Sequence, residues 1–231
     1  MDWFDVLQSA ISGIFVGLVV FGLDMIRAKR ERRLSDFRIA ANWEVTEPKP
    51  SLRNFDLKGT NLSGYDFSNA NLESANLQNT ALWGTNLSGA NLRKVNFRSA
   101  KLVGANFTNV VSFYSDYSGV VIRQRSERGK IYTPNFTNAN FWGVAFRRAT
   151  IKNAIFSNVV LNKADFSAAT IEDCDFSDSD LTDSKWLRVR RVQNCIWKNV
   201  KVGDSRGFPR WLLEEIQMQN ARPNKKKQNR N

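Results

Sequence analysis

A bulky apolar residue recurs at every fifth position from Leu52 onward: Leu52, Leu57, Leu62, Phe67, Leu72, Leu77, Leu82, Leu87, Leu92, Phe97, Leu102 and Phe107. A second run reads Phe136, Phe141, Phe146, Ile151, Phe156, Leu161, Phe166, Ile171, Phe176, Leu181 and Trp186. Two positions before most of these sits a small residue, such as Ala70, Ala75, Ala90, Ala105, Ala139, Ala154 or Cys174. The positions between are rich in Asn, Ser, Asp, Thr and Gly, which suit turns. A period of five fits neither a helix at 3.6 residues nor a strand at 2. It predicts a stacked array of repeats. After Trp186 the pattern resumes one residue late at Val192, Trp197 and Val202, with Cys195 and Val200 in the small position. Cys174 and Cys195 thus both take the small position, four units apart. That spacing permits a disulfide, while a reducing compartment favours two buried thiols acting as small hydrophobes.

The stretches Ala70-Asn71-Leu72, Ala75-Asn76-Leu77, Ala90-Asn91-Leu92 and Ala139-Asn140-Phe141 closely resemble the pentapeptide repeat family, over residues 51–204. The resemblance implies an all-β fold, a right-handed quadrilateral β-helix with four pentapeptides to a coil. It also implies that the central Leu or Phe and the small residue before it point inward, and that the remaining positions face solvent.

Segments outside the array carry different signals. Residues 6–23 hold no charge, and as a helix they would span about 27 Å, close to a bilayer's hydrocarbon thickness. Arg27, Lys29, Arg30, Arg32 and Arg33 follow it. The order predicts an uncleaved transmembrane helix over residues 1–26, leaving the bulk of the chain cytoplasmic at a plasma or thylakoid membrane; a buried or interfacial helix is the alternative. Residues 27–50 read as a basic juxtamembrane helix and linker whose cations are the lipid-binding candidates. Ser9, Gly13 and Gly17 lie at four-residue intervals and would allow close contact with a partner helix. The rest divides into a first repeat block at 51–112, an inserted loop or hairpin at 113–133 and a second block at 134–206. A short C-terminal helix at 207–221 covers the open end, and a basic tail follows at 222–231.

The chain has 231 residues and a formal net charge of +12. With no histidine, it lacks the commonest general base and metal ligand. Inward positions are used for packing and no phosphate-cradling or nucleophile motif appears, so neither an enzyme, a metal nor a cofactor is expected. Candidate partner-binding residues are Trp83 and Trp142, which follow inward residues, and Tyr114, Tyr117, Arg123, Arg125, Arg128 and Lys130 of the interruption. Three functions are open. The favoured one is a membrane-anchored scaffold docking a membrane complex or acidic assembly; since family members of this layout are numerous in cyanobacteria, a photosynthetic complex fits. A DNA mimic acting on topoisomerases needs an acidic surface, whereas residues 51–206 hold 21 basic and 13 acidic side chains, a net of +8. Direct nucleic-acid binding follows from net charge alone.

Overall fold

The computed structural model describes residues 3–221, with side chains from residue 18 to residue 220, Val19 excepted. Helix α1, Trp3–Ala41, leads into a solenoid that helix α2, Arg210–Ala221, closes. Each unit of the solenoid is a turn closed by a backbone hydrogen bond from the residue three after the inward one, as in Ala75 N–H to Leu72 C=O at 2.9 Å. The residue two after the inward one is left-handed, as at Asn69 with φ 59° and Gly84 with φ 63°. Glycine and asparagine adopt that conformation at least cost, which is why they fill the slot. Asn or Asp just before the inward residue has a double role. Asn76 Oδ1 accepts the Gln78 N–H at 3.2 Å, and its Nδ2 donates to Asp56 Oδ1 in the coil below at 3.0 Å.

Coils stack in parallel register. Asp56 pairs with Asn76 and Asn76 with Asn96, a step of twenty residues. Four inward columns result, one for each side of the coil. The first begins Leu52, Leu72, Leu92, Ser112, Phe141, and the second Leu57, Leu77, Phe97, Tyr117, Phe146. The third begins Leu62, Leu82, Leu102, Ile122, Ile151, and the fourth Phe67, Leu87, Phe107, Phe136, Phe156. The third side carries a four-stranded parallel sheet made of β1 (Val121–Ile122), β4 (Thr150–Lys152), β5 (Thr170–Glu172) and β6 (Arg191–Gln193). The second and fourth columns become aromatic stacks. Phe136 and Phe156 lie 4.5 Å apart at 4°, and Phe176 and Trp197 4.8 Å apart at 7°. The two stacks meet edge-on across the interior, as Phe146 does Phe156.

The repeat runs further than its pattern indicates. Ser112, Tyr117 and Ile122 are inward and buried, so the interruption is shorter than residues 113–133. Lys101 pairs with Val121 twenty residues on, but Asn106 pairs with Asn135 twenty-nine on, so only nine residues are inserted. They form a hairpin, β2 (Arg125–Glu127) against β3 (Lys130–Tyr132), turned at Arg128 and Gly129, both with positive φ. It folds back over the third side, where a Cβ on Gly104 would meet Tyr132 Cβ at 2.7 Å.

Among the described residues no helix is long and apolar enough to cross a membrane. That corrects the expected transmembrane helix over residues 1–26 and with it the single-pass, cytoplasm-facing localisation. From Asp24 onward the helix is charged, at Asp24, Arg27, Lys29 and Arg30, and its last turns bond to the first coil. The side chains of Ser9, Gly13 and Gly17 and the whole tail at 222–231 lie outside the described residues.

The end of α1 is a cap. The Asp36 carboxylate accepts the Asp56 N–H at 2.8 Å, where a preceding coil would have supplied a carbonyl. Arg32 and Arg33 donate to the Asn54 and Lys58 carbonyls, so two of the five expected lipid ligands are engaged with the first coil. Arg27, Lys29 and Arg30 are exposed. Trp43 seals the end against Phe67 at 5.9 Å, its Nε1–H donating to Pro50 C=O at 2.9 Å. At the other end Leu212 and Ile216 of α2 are buried on the core. Gln219 Oε1 accepts the Trp197 N–H at 2.8 Å and its Nε2 donates to Cys195 C=O at 3.1 Å. Side chains thus satisfy coil edges that would otherwise be open. Cys174 and Cys195 are buried, free thiols in adjacent coils. Their shared hydrogen bond, then burial, push the Cys174 thiol well above its ordinary range.

Candidate functional site

Inward residues are consumed by stacking, so function falls to the two outward positions of each side. On the first side these form a continuous column of cations and rings. The Arg93 guanidinium lies 5.1 Å from the Phe113 ring. Tyr114 meets Trp142 edge-on at 4.8 Å and 89°, and the Lys163 ammonium lies 5.0 Å from the Trp142 ring. Tyr114 is 60% exposed. Coil stacking sets this order, because Ser112 sits beneath Phe141 although it lies 29 positions earlier in the chain.

The adjoining second side continues the positive charge. Arg98, Ser118 and Arg147 follow inward Phe97, Tyr117 and Phe146 in three successive coils. The short middle rung, Ser118 and Gly119, leaves a cavity of about 420 Å3 between the longer ones. Two basic groups some fifty residues apart in sequence therefore flank one notch. Arg98 pairs with Asp116 at 3.6 Å and Arg147 with Asp165 at 3.3 Å.

Backbone conformation separates these two sides from the others. On the third and fourth sides the left-handed slot is filled only by Gly, Asn and Asp. On the first and second it also holds Lys94 (φ 57°), Tyr114 (57°), Arg148 (58°), Lys163 (59°) and Arg188 (53°). A side chain of that kind in a left-handed conformation costs about 1–2 kcal/mol. The fold has no need of that cost, and strain of this type collects at functional surfaces. The fourth side is the contrast: its central rungs, Ser88-Gly89, Thr108-Asn109, Thr137-Asn138 and Ser157-Asn158, carry no charge.

The other expected partner residues are dispersed. Tyr117 is fully buried, so it is not a contact residue: its hydroxyl lies 2.9 Å from that of Ser112, and burial pushes its ionisation far above the ordinary tyrosine range. Trp83, 39% exposed, lies on the third side, opposite Tyr114 and Trp142, with the Arg125 guanidinium 5.7 Å from its ring. Arg125 also pairs with Glu127 at 2.9 Å, while Arg123, Arg128 and Lys130 are exposed on or beside the hairpin. The acidic group at 172–183 is spread around one coil and has structural work. Asp175 and Asp180 accept the turn N–H groups of Ser177 and Thr182, and Asp178 accepts from Asn199. Glu172 accepts from Lys152 at 2.7 Å and from Arg191 at 3.4 Å, and the Lys152 ammonium foremost holds its carboxyl below the usual range. Among the described residues no cluster of three or more metal-ligating groups is present.

The pentapeptide repeats family model matches residues 51–80, 70–109 and 146–183, in eight copies. Residues 51–109 and 146–183 of the chain are pentapeptide repeats. Its solenoid is accordingly a right-handed β-helix. Similar solved structures include HetL, a pentapeptide repeat protein involved in heterocyst differentiation regulation from the cyanobacterium Nostoc sp. strain PCC 7120. It is 19% identical over 67% of this chain and 81% of its own, with a TM-score of 0.30. A pentapeptide repeat protein of the Arabidopsis thaliana thylakoid lumen is 22% identical over 55% of this chain and 68% of its own, at 0.32. QnrB1, a plasmid-mediated fluoroquinolone resistance protein, is 16% identical over 72% of this chain and 100% of its own, at 0.31. A search of the curated proteins found no match. Pentapeptide repeat proteins are in general non-catalytic interaction modules, and in this one the two basic sides are the surface that the fold itself leaves unexplained.

Proposed function

We propose that this pentapeptide repeat protein is a non-catalytic docking scaffold that offers its first and second sides to an acidic protein assembly. The observation that carries the reading is the outward column Arg93, Phe113, Tyr114, Trp142 and Lys163, in which Phe113 and Trp142 are half-buried and the other three exposed. Rings held rigidly beside cations supply the aromatic and basic anchors on which protein interfaces concentrate their energy. A solenoid capped at both ends loses little conformational freedom on binding, which keeps the entropic cost of association low. The sign of the charge favours an acidic partner over the DNA-mimic role, which needs the opposite surface.

The test compares the full chain with Tyr114→Ala/Trp142→Ala and with Arg93→Glu/Lys163→Glu as baits in host extract. Wild type should retain a defined protein set that salt elutes, because exposed charges are screened as ionic strength rises. Each double variant should lose that set while keeping its melting temperature. Equal capture by wild type and both variants refutes the reading, and retention of single-stranded nucleic acid in place of protein replaces it.

A further inference from the structure

We infer that the notch between Arg98 and the Arg147-Arg148 pair is an oxyanion subsite whose ligand is a phosphate monoester on the docked protein. The inference rests on the docking reading of the same surface and adds the chemistry of one contact.

The notch exists because one rung is short. Arg98 and Ser99 form one wall and Arg147 and Arg148 the other, with Ser118 and Gly119 between them. A Cβ on Gly119 would make only an ordinary contact, with the Ser99 hydroxyl at 3.4 Å, so the notch is open because the middle rung is small. Three guanidiniums therefore border about 420 Å3 of open space from opposite ends. Their existing partners leave them underused. Asp116, which also lines the notch, reaches Arg98 at 3.6 Å, and Asp165 reaches Arg147 at 3.3 Å. Each contact engages one nitrogen of a group that carries five N–H donors. Arg148 has no ion-pair partner among the described residues, and it is the one Arg on this side beside the notch whose backbone is held at φ 58°. The Ser99 and Ser118 hydroxyls add neutral donors on the floor.

The number and placing of donors select among oxyanions. A carboxylate offers two oxygens and one charge, and two carboxylates are already present, so a third gains little. A phosphate monoester brings three terminal oxygens and close to two negative charges. It can accept from both walls at once and form charge-assisted, forked contacts that arginine favours over lysine. The notch opens on an exposed side and lies next to the aromatic column. A phosphorylated side chain of a partner lying on that column can therefore enter it, while the ester oxygen points outward to the partner's chain.

Titration calorimetry on the full chain tests this with three probes: a phosphoserine peptide flanked by glycines, its unphosphorylated counterpart, and inorganic phosphate. The phosphopeptide should bind at least tenfold tighter than the unphosphorylated peptide. Arg98→Ala and Arg148→Asn should each weaken it about tenfold, and Arg190→Ala, outside the notch, should leave it unchanged. No preference for the phosphopeptide, or variants that bind like wild type, would overturn the inference. Inorganic phosphate binding as tightly as the phosphopeptide would overturn the assignment to a protein-borne ester. Phosphatase treatment of the extract separates the two proposals. Capture that survives it and still depends on Tyr114 and Trp142 leaves the docking reading standing and removes the subsite. Capture indifferent to Tyr114 and Trp142 removes the docking reading, whatever the peptide does.

Discussion

The pair Ser112 and Tyr117 offers a quantitative test of how the core is built. Every other described member of the first column is a Leu, Phe or Val, yet Ser112 takes the inward slot and is fully buried. The room it gives up is taken by Tyr117 on the next side, whose hydroxyl reaches Ser112 Oγ at 2.9 Å. Ser112 Oγ has a second, longer contact to Leu92 C=O at 3.4 Å, whereas the phenol has Ser112 alone. Removing the serine hydroxyl therefore strands a buried donor, at about 2 kcal/mol. Tyr117→Phe forfeits one hydrogen bond and leaves the serine its carbonyl, at about 1 kcal/mol. Making both changes removes both polar atoms together and should also cost about 1 kcal/mol. The two singles then exceed the double by about 2 kcal/mol, a coupling well above the scatter of independent sites. For a chain of this size each kcal/mol moves the melting temperature by about 2–4 °C. Ser112→Ala should melt about 4–8 °C below wild type, and the double variant above Ser112→Ala. Urea unfolding of the four proteins, followed by circular dichroism, measures the cycle. Strict additivity, or a Ser112→Ala protein as stable as wild type, would refute the volume exchange.

Other consequences are as direct. Gln219→Ala frees the Trp197 N–H and the Cys195 carbonyl at the end coil and should cost about 1–3 kcal/mol, visible as faster amide exchange at Trp197 ahead of the central coils. Glu172 has its carboxyl lowered in the folded chain by Lys152 and then Arg191. Its contribution is therefore complete above about pH 4.5, its ordinary value, and is lost as pH falls through the depressed folded value. The melting temperature of Glu172→Gln should differ from wild type near neutral pH and converge on it in strong acid; a constant difference would refute this. The buried Cys174 thiol, held up by Cys195 and by burial, should resist alkylation at pH 8 until the chain unfolds, since the thiolate is the reactive form. Arg148→Asn relieves a left-handed arginine and should raise stability by about 1 kcal/mol while weakening the notch, a trade that thermal melts and the phosphopeptide titration read separately.

The periodicity of five specified the solenoid because one inward slot in five is a constraint that coil stacking cannot relax. What single positions could not reveal was exchange between them. Ser112 and Tyr117 each break the pattern alone and satisfy it together, so the apolar periodicity halts ahead of the nine inserted residues. Helix α1 departs from its expectation for a related reason. Its apolar run and following cations are spaced along the chain as in an anchor, whereas Asp36, Arg32 and Arg33 bond to a first coil that no local pattern places beside them. The candidate surface was half legible. Tyr114, Trp142 and both arginine groups stand out as residues, but their adjacency depends on a step of twenty-nine residues in place of twenty at one junction. Counting along the sequence could not supply that step.

The distribution of backbone cost gives the surface its weight. A basic residue on a solenoid is ordinarily explained by solubility, and most outward positions here need no other account. Solubility, however, is indifferent to which outward slot carries the charge, and each side offers a regular slot beside the left-handed one. Lys94, Arg148 and Lys163 occupy the costly slot although the regular one is next to it, and Tyr114 does so with an aromatic ring. Five such residues, Lys94, Tyr114, Arg148, Lys163 and Arg188, lie on two adjoining sides and none on the solenoid's other two, the pattern expected if these sides were built to meet a ligand.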